Sequence, residues 1–136
     1  MYLLSFTKIE FLLGVDSIRN VSGIQTGALD PAKGMFWTWN SGYIMAKLEG
    51  ESPLANAAGN RFTYHIGGFR FGINTVRKIS LNIANNQNNE IHINADINQW
   101  FKSKSEIRIA ETNNCQTPGT LAVKFADNYA NMFTIR

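Results

Sequence analysis

Cysteine is almost missing from this chain: Cys115 is the only one in 136 residues. No disulfide can form within it, and zinc sites assembled from several thiolates are excluded. Asn113, Asn114, Thr117, Pro118 and Gly119 surround the thiol, so it reads as a solitary cysteine in a turn. As a soft metal ligand it would lack a histidine nearby. Histidine is scarce too, limited to His65 and His92, which leaves few bases to activate a nucleophile. An excess of one charge is absent as well: 13 Lys and Arg face 10 Asp and Glu, for a net +3. The basic residues are scattered, with Arg77-Lys78 the only adjacent pair and Lys102 and Lys104 flanking a serine. Phosphate neutralisation demands a stripe of such residues, so nucleic acid is not an expected partner. No apolar run approaches the roughly 18 residues that span a bilayer. Met1 to Val15 has no basic start, and Lys8 and Glu10 break its apolar stretches, so it does not read as a secretory leader.

Catalytic motifs are also lacking. There is no G-x-S-x-G elbow, P-loop, H-E-x-x-H pair or dinucleotide fingerprint. Asp16 and Asp30 could pair as carboxylates, but loop carboxylates of this kind are usually solvated. The same two residues could hold calcium with backbone carbonyls, yet the regular spacing of a calcium loop is absent. The expectation is a binding protein and not an enzyme.

What the chain has in quantity is period-two alternation of β-branched and aromatic residues. Strands are expected over 5–15, over 35–49 with a bend or bulge at Ser41-Gly42, and over 61–69. Residues 76–84 and 90–95 read as a hairpin about the Asn85, Asn86, Asn88, Asn89 turn. Shorter strands are expected over 106–110, 120–125 and 132–136, and a helical turn over Asp96 to Phe101 capped by Asp96. Residues 16–34 and 50–60 are rich in glycine and proline and read as loops. Short strands separated by frequent turns predict an all-β fold: an antiparallel two-sheet β-sandwich forming a single domain over 1–136. Strand-like alternation begins almost at the first residue. That predicts missing N-terminal strands, with this chain the C-terminal part of a longer exported protein.

Two segments concentrate the candidate chemistry. Gly34-Met35-Phe36-Trp37-Thr38-Trp39-Asn40-Ser41-Gly42-Tyr43 is the densest run of aromatics, and tryptophans two apart share one side of an extended strand. They either plug the core or form a ligand platform or modified residue. In Phe62-Thr63-Tyr64-His65-Ile66-Gly67-Gly68-Phe69, alternation places Phe62, Tyr64 and Ile66 on one face and His65 with Thr63 on the other. A neutral imidazole is a common ligand of copper and zinc, and two following glycines allow the backbone to bend around a bound group. The other reading of His65 is a satisfied structural residue. His92, between Ile91 and Ile93, is expected to face solvent. Met35 and Met45 could offer thioethers to Cu(I) or simply fill the core.

These segments resemble the MbnP family of copper-binding proteins, named for a protein encoded alongside methanobactin biosynthesis. The resemblance runs in order through Gly14-Val15-Asp16-Ser17, Leu29-Asp30-Pro31, Gly34 to Trp39, Ser41-Gly42-Tyr43, Lys47-Leu48-Glu49-Gly50 and Tyr64 to Gly68. Asp96 to Phe101 and Ala126 to Phe133 fit more loosely. The resemblance implies a non-catalytic protein, exported to the periplasm or cell surface. It implies copper held by histidine together with kynurenine, an oxidised tryptophan, and a partner di-haem peroxidase-like enzyme associated with making that modification. Carried onto this sequence, His65 is the metal ligand, and Trp37 or Trp39 is the residue modified or placed beside the metal. Characterised sites in the family use more than one histidine, whereas no second one falls in the matching blocks here and His92 lies outside them. The alternative is a sandwich module that binds carbohydrate or protein on a stacking surface of Trp37, Trp39 and Tyr43 without metal. A third reading is a structural accessory domain.

Overall fold

The computed structural model describes residues 6–84 and 90–136. Its regular structure is mostly β, and antiparallel pairing dominates, as the alternation predicts. Strand β1 (Lys8–Leu13) pairs antiparallel with β5 (Arg77–Asn82), with Phe11 opposite Ile79. A four-stranded sheet runs in the order β2 (Phe36–Thr38), β3 (Gly42–Glu51), β4 (Arg61–Gly67), β7 (Asn114–Cys115). Only the short β4–β7 contact is parallel. A third pair joins β6 (Ile93–Ala95) to β8 (Phe133–Ile135). Among the described residues these are three separately hydrogen-bonded, unclosed sheets. The Phe11 and Phe133 rings, 5.2 Å apart edge to face, tie the first to the third.

Several expectations need correction. Residues 76–95 do not form a hairpin: β5 takes β1 as its partner and β6 takes β8. The expected turn at Asn85 to Asn89 lies outside the described residues. Residues 120–125 belong not to a strand but to helix α2 (Thr120–Tyr129), whose buried Ala122, Phe125, Ala126 and Tyr129 follow the helical repeat. Nor is 106–110 a strand, because Glu106 makes only an isolated bridge to Lys102. The Ile107 amide donates instead to Phe101 O at 2.8 Å, folding the chain back so that Ile107 is buried. The helical turn at Ile97–Trp100 is present, with the Asp96 carboxylate accepting from the Asn98 amide at 3.0 Å.

The main core lies between β4 and α2. Tyr64 and Ile66 of β4 meet Phe125 and Tyr129 of α2, with Trp100 packed 5.1 Å from Tyr129. Burial pushes the Tyr64 phenol up to about 12. Its hydroxyl donates to Thr112 O at 2.6 Å, so the buried polar tip is satisfied.

The loop-like stretch 16–34 is more ordered than its composition suggests. Asp16 caps the short helix α1 (Ser17–Val21), accepting from the Arg19 amide at 2.8 Å, and Asp30 caps a 3-10 turn over Pro31–Lys33. The two carboxylates therefore serve as helix caps, each occupied by its own turn. Asn20, which is buried, holds this loop to the sheet. Its amide nitrogen donates to Val15 O and Asp16 O, and its oxygen accepts from the Tyr43 amide at 2.8 Å.

Candidate metal centre

The expected bend at Ser41-Gly42 is instead the tight turn between β2 and β3. The alternation changes phase three residues later: Ile44 pairs with Gly67 but Ala46 pairs with Ile66, leaving Met45 as the extra residue of a β-bulge. That bulge sets which side chains share a face. Beyond it Ala46 and Leu48 join Ile66 and Tyr64 on the core side. Lys47 and Glu49 are turned to the other side, with His65 and Thr63.

On this outer side Lys47 lies opposite His65 and Glu49 opposite Thr63. Glu49 reaches diagonally to the imidazole, its Oε1 lying 2.6 Å from His65 Nε2. Lys47 Nζ lies 3.5 Å from the same oxygen. The His65 hydrogen bond, and then the Lys47 charge, hold the Glu49 carboxyl below the usual carboxylate range. An ionised carboxylate can only accept, so the hydrogen of this bond resides on Nε2. The His65 side chain is 14% exposed: it is largely covered, but it lies on the face of the sheet away from the main core.

Trp37 comes to the same neighbourhood from β2. A Cβ built on Gly67 would lie 2.5 Å from Trp37 Cζ3 and 2.9 Å from Cη2, so the benzo edge of the indole rests directly on that glycine. Gly67 follows His65 by two positions on one strand face, a separation of about 7 Å along an extended backbone. Trp39 is elsewhere. It occupies the turn after β2 and is 80% exposed. The two tryptophans thus have different environments, half-buried against β4 and open to solvent.

The remaining candidates separate from His65. Tyr43 is buried, packed 4.9 Å from Phe36 and donating its hydroxyl to Leu29 O, so it cannot join an exposed stacking surface. Met45 is core, and its sulfur accepts from the Val15 amide at 3.1 Å. Met35 is half-buried, with its carbonyl bonded to the Ile44 amide. Cys115 sits on β7 opposite Tyr64, on the core side, where burial pushes its thiol up. His92 is mostly solvent-exposed, 3.7 Å from Glu90.

For a soft cation, then, the site offers an imidazole oriented by a carboxylate. Its Nδ1 has no protein hydrogen bond among the described residues. An imidazole held in this way meets the usual requirement for a metal-binding histidine. No group of three or more His, Cys, Asp or Glu converges among the described residues. His65 and Glu49 by themselves offer an imidazole and a carboxylate that are already engaged with each other. Of the two tryptophans of the aromatic run, Trp37 is the one whose ring rests on β4, against Gly67 two residues from His65.

Sequence reasoning missed Glu49 and Lys47 as neighbours of His65, and Gly67 as a seat for the indole. The bulge that aligns them leaves only a lapse of alternation in the sequence. Replacing Gly67 with alanine should cost about 1–3 kcal/mol, since the new methyl meets both the indole and the Tyr43 backbone oxygen at 2.9 Å. A lower denaturation midpoint with a red-shifted tryptophan emission would register the displaced ring.

Among the described residues no helix is long and apolar enough to cross a membrane. Neither a curated protein nor a solved structure matches the chain. The family model described as MbnP matches residues 4–117, which takes in β1 through β7 and stops short of α2. The indole-bearing strand β2, the glycine it rests on and the His65–Glu49 pair all fall within that match: the chain belongs to the MbnP family.

Proposed function

We propose that this protein is a non-catalytic copper-binding protein, exported to the periplasm or cell surface. His65 supplies one donor, and Trp37, opened to kynurenine with the help of a di-haem peroxidase-like partner, supplies a second. The observation that carries this reading is the indole of Trp37 lying on Gly67, two residues from His65 on the same strand face.

An intact indole is a poor ligand because its nitrogen lone pair belongs to the aromatic system and its N–H is a donor only. Oxidation adds two oxygen atoms across the C2–C3 bond, from dioxygen or two equivalents of peroxide acting through the partner. Hydrolysis then releases C2 as formate. The ring-opened product carries a free aromatic amine and a ketone, both able to donate to a metal. Trp37 is favoured over Trp39 because only Trp37 is fixed against the strand that bears His65. Opening the ring of Trp39 would leave its donors in the β2–β3 turn. Met45 and Cys115 make no contribution, since one thioether is bonded in the core and the thiol is on the opposite face.

Intact and peptide mass spectra of protein from its native host, beside recombinant material, test the reading, with copper assayed on both. The native protein is expected to be heavier by one oxygen less one carbon, with the gain localised to the peptide carrying Trp37, and to hold stoichiometric copper. A native protein that is unmodified and stays metal-free when copper is supplied would overturn it.

A further inference from the structure

We infer that Glu49 is the positioning residue of this site: it engages His65 through Nε2 and thereby leaves Nδ1 as the nitrogen presented to Cu(I). The part that concerns copper rests on the function proposed above, whereas the hold of Glu49 on the ring does not.

The backbone register produces this arrangement. Glu49 lies opposite Thr63, two residues before His65, while Trp37 lies over Gly67, two residues after it. The carboxylate therefore draws Nε2 toward one end of the strand pair, away from the end where the indole sits. Diagonal neighbours across an antiparallel pair are within reach of long side chains, and glutamate spans the gap with its Oε1 at 2.6 Å from the ring. Lys47 steadies the carboxylate from its other side at 3.5 Å. An open groove of about 340 Å³, lined by Glu49, Gly50, Glu51, Arg61, Phe62 and Thr63, runs past Glu49. His65 is outside that lining, so solvent reaches the carboxylate along a groove that the imidazole does not line.

The chemical consequence is specific. Hydrogen bonding from Nε2–H to a carboxylate fixes the ring orientation and tautomer and makes the other nitrogen more basic, as in carboxylate–histidine–metal sites generally. A cation at Nε2 would first have to displace Glu49. A cation at Nδ1 leaves the bond intact.

Because Cu(I) is diamagnetic, one NMR experiment reads both parts on full-length protein purified from its native host. In the metal-free protein the Nε2–H proton of His65 is expected to give an observable downfield signal, protected by Glu49, whereas exposed His92 gives none. Glu49→Ala should lose the signal, and Glu49→Gln, which keeps an acceptor oxygen, should retain it. On adding Cu(I) the Nε2–H signal should persist while the Nδ1 nitrogen resonance moves. In ligand competition Glu49→Ala should bind Cu(I) about 10- to 100-fold more weakly, with most of the loss recovered in Glu49→Gln. Loss of the Nε2–H signal on metal addition, or its survival in Glu49→Ala, overturns the inference. Failure of the wild-type protein to take up Cu(I) instead overturns the copper reading, and the metal-free arm still decides whether Glu49 holds the ring.

Discussion

On the proposed copper reading, His65→Ala should abolish binding in practical terms: the Cu(I) dissociation constant of protein from the native host is expected to rise by at least about 100-fold, close to 3 kcal/mol. This exceeds the effect expected at Glu49 because the donor atom itself is removed. What would remain of the proposed site is the opened ring of Trp37 and a carboxylate better suited to harder ions. The fold should survive, since His65 is on the outer side of β4 and its partner Glu49 is half-exposed. Competition against a chromophoric Cu(I) chelator gives the affinity, and far-ultraviolet circular dichroism the integrity of the sheet. An unchanged affinity with an intact fold would move the site away from His65 altogether.

Replacing Asn128 with alanine should have the largest effect on stability, about 3 kcal/mol or more of a total that for a domain of this size is of order 10. Asn128 is fully buried on α2 and uses its whole amide. The nitrogen donates to Trp100 O at 3.0 Å and Ser105 O at 2.8 Å, and the oxygen accepts from the Ser105 amide at 2.8 Å. Alanine would strand the Trp100 carbonyl and the Ser105 N–H against the packed helix and leave the Ser105 carbonyl with only the Ser103 amide at 3.3 Å, and stranded groups carry the full cost of desolvation. Asn128→Asp should be worse, because a carboxylate cannot donate to either carbonyl and would face both. Urea unfolding should show a lower midpoint with an unchanged slope, which would place the effect in stability and not in compactness. A change below about 1 kcal/mol would mean that solvent reaches the segment 100–105 and takes over the bonds.

The same asparagine explains part of what the sequence conceals. Strands β1, β3, β4 and β5 are legible because several of their residues alternate strictly between interior and solvent. The segment 120–125 misleads because Leu121, Val123 and Phe125 alternate as in a strand, whereas the helix buries Ala122, Phe125, Ala126 and Tyr129. The repeat becomes visible only when the window extends to Tyr129. Residues 106–110 mislead differently. Their backbone is drawn into turns by Phe101 and, upstream, by Asn128, partners that no local pattern reveals. Strand pairing is a further step removed: β5 is joined to β1 across about half the chain, a choice made by burial of side chains and not by the nearest turn signal.

The candidate site was legible in its components and not in its assembly. His65 on the outer face of its strand follows directly from alternation within 61–67. Its closeness to Trp37 does not, because β3 intervenes between β2 and β4 and its bulge sets the register. Spacing alone puts Trp37 and Trp39 on an equal footing. They differ because β2 ends at Thr38 and the turn carries Trp39 away. Glu49 belonged to a recognised block of residues without any sign of its partner.

The extra residue at Met45 makes this region sensitive to chain length in a way that composition is not. Many single substitutions in β3 would alter one contact and leave its neighbours in place. Loss of one residue at the bulge would restore uninterrupted alternation through the strand and rotate everything after it by half a turn. Lys47 and Glu49 would then be driven toward Tyr64 and Phe125, and Leu48 would be stranded in water beside an imidazole with no acceptor. Related chains should therefore vary in residue type along this strand far more freely than in the number of residues between the Gly42 turn and Glu49.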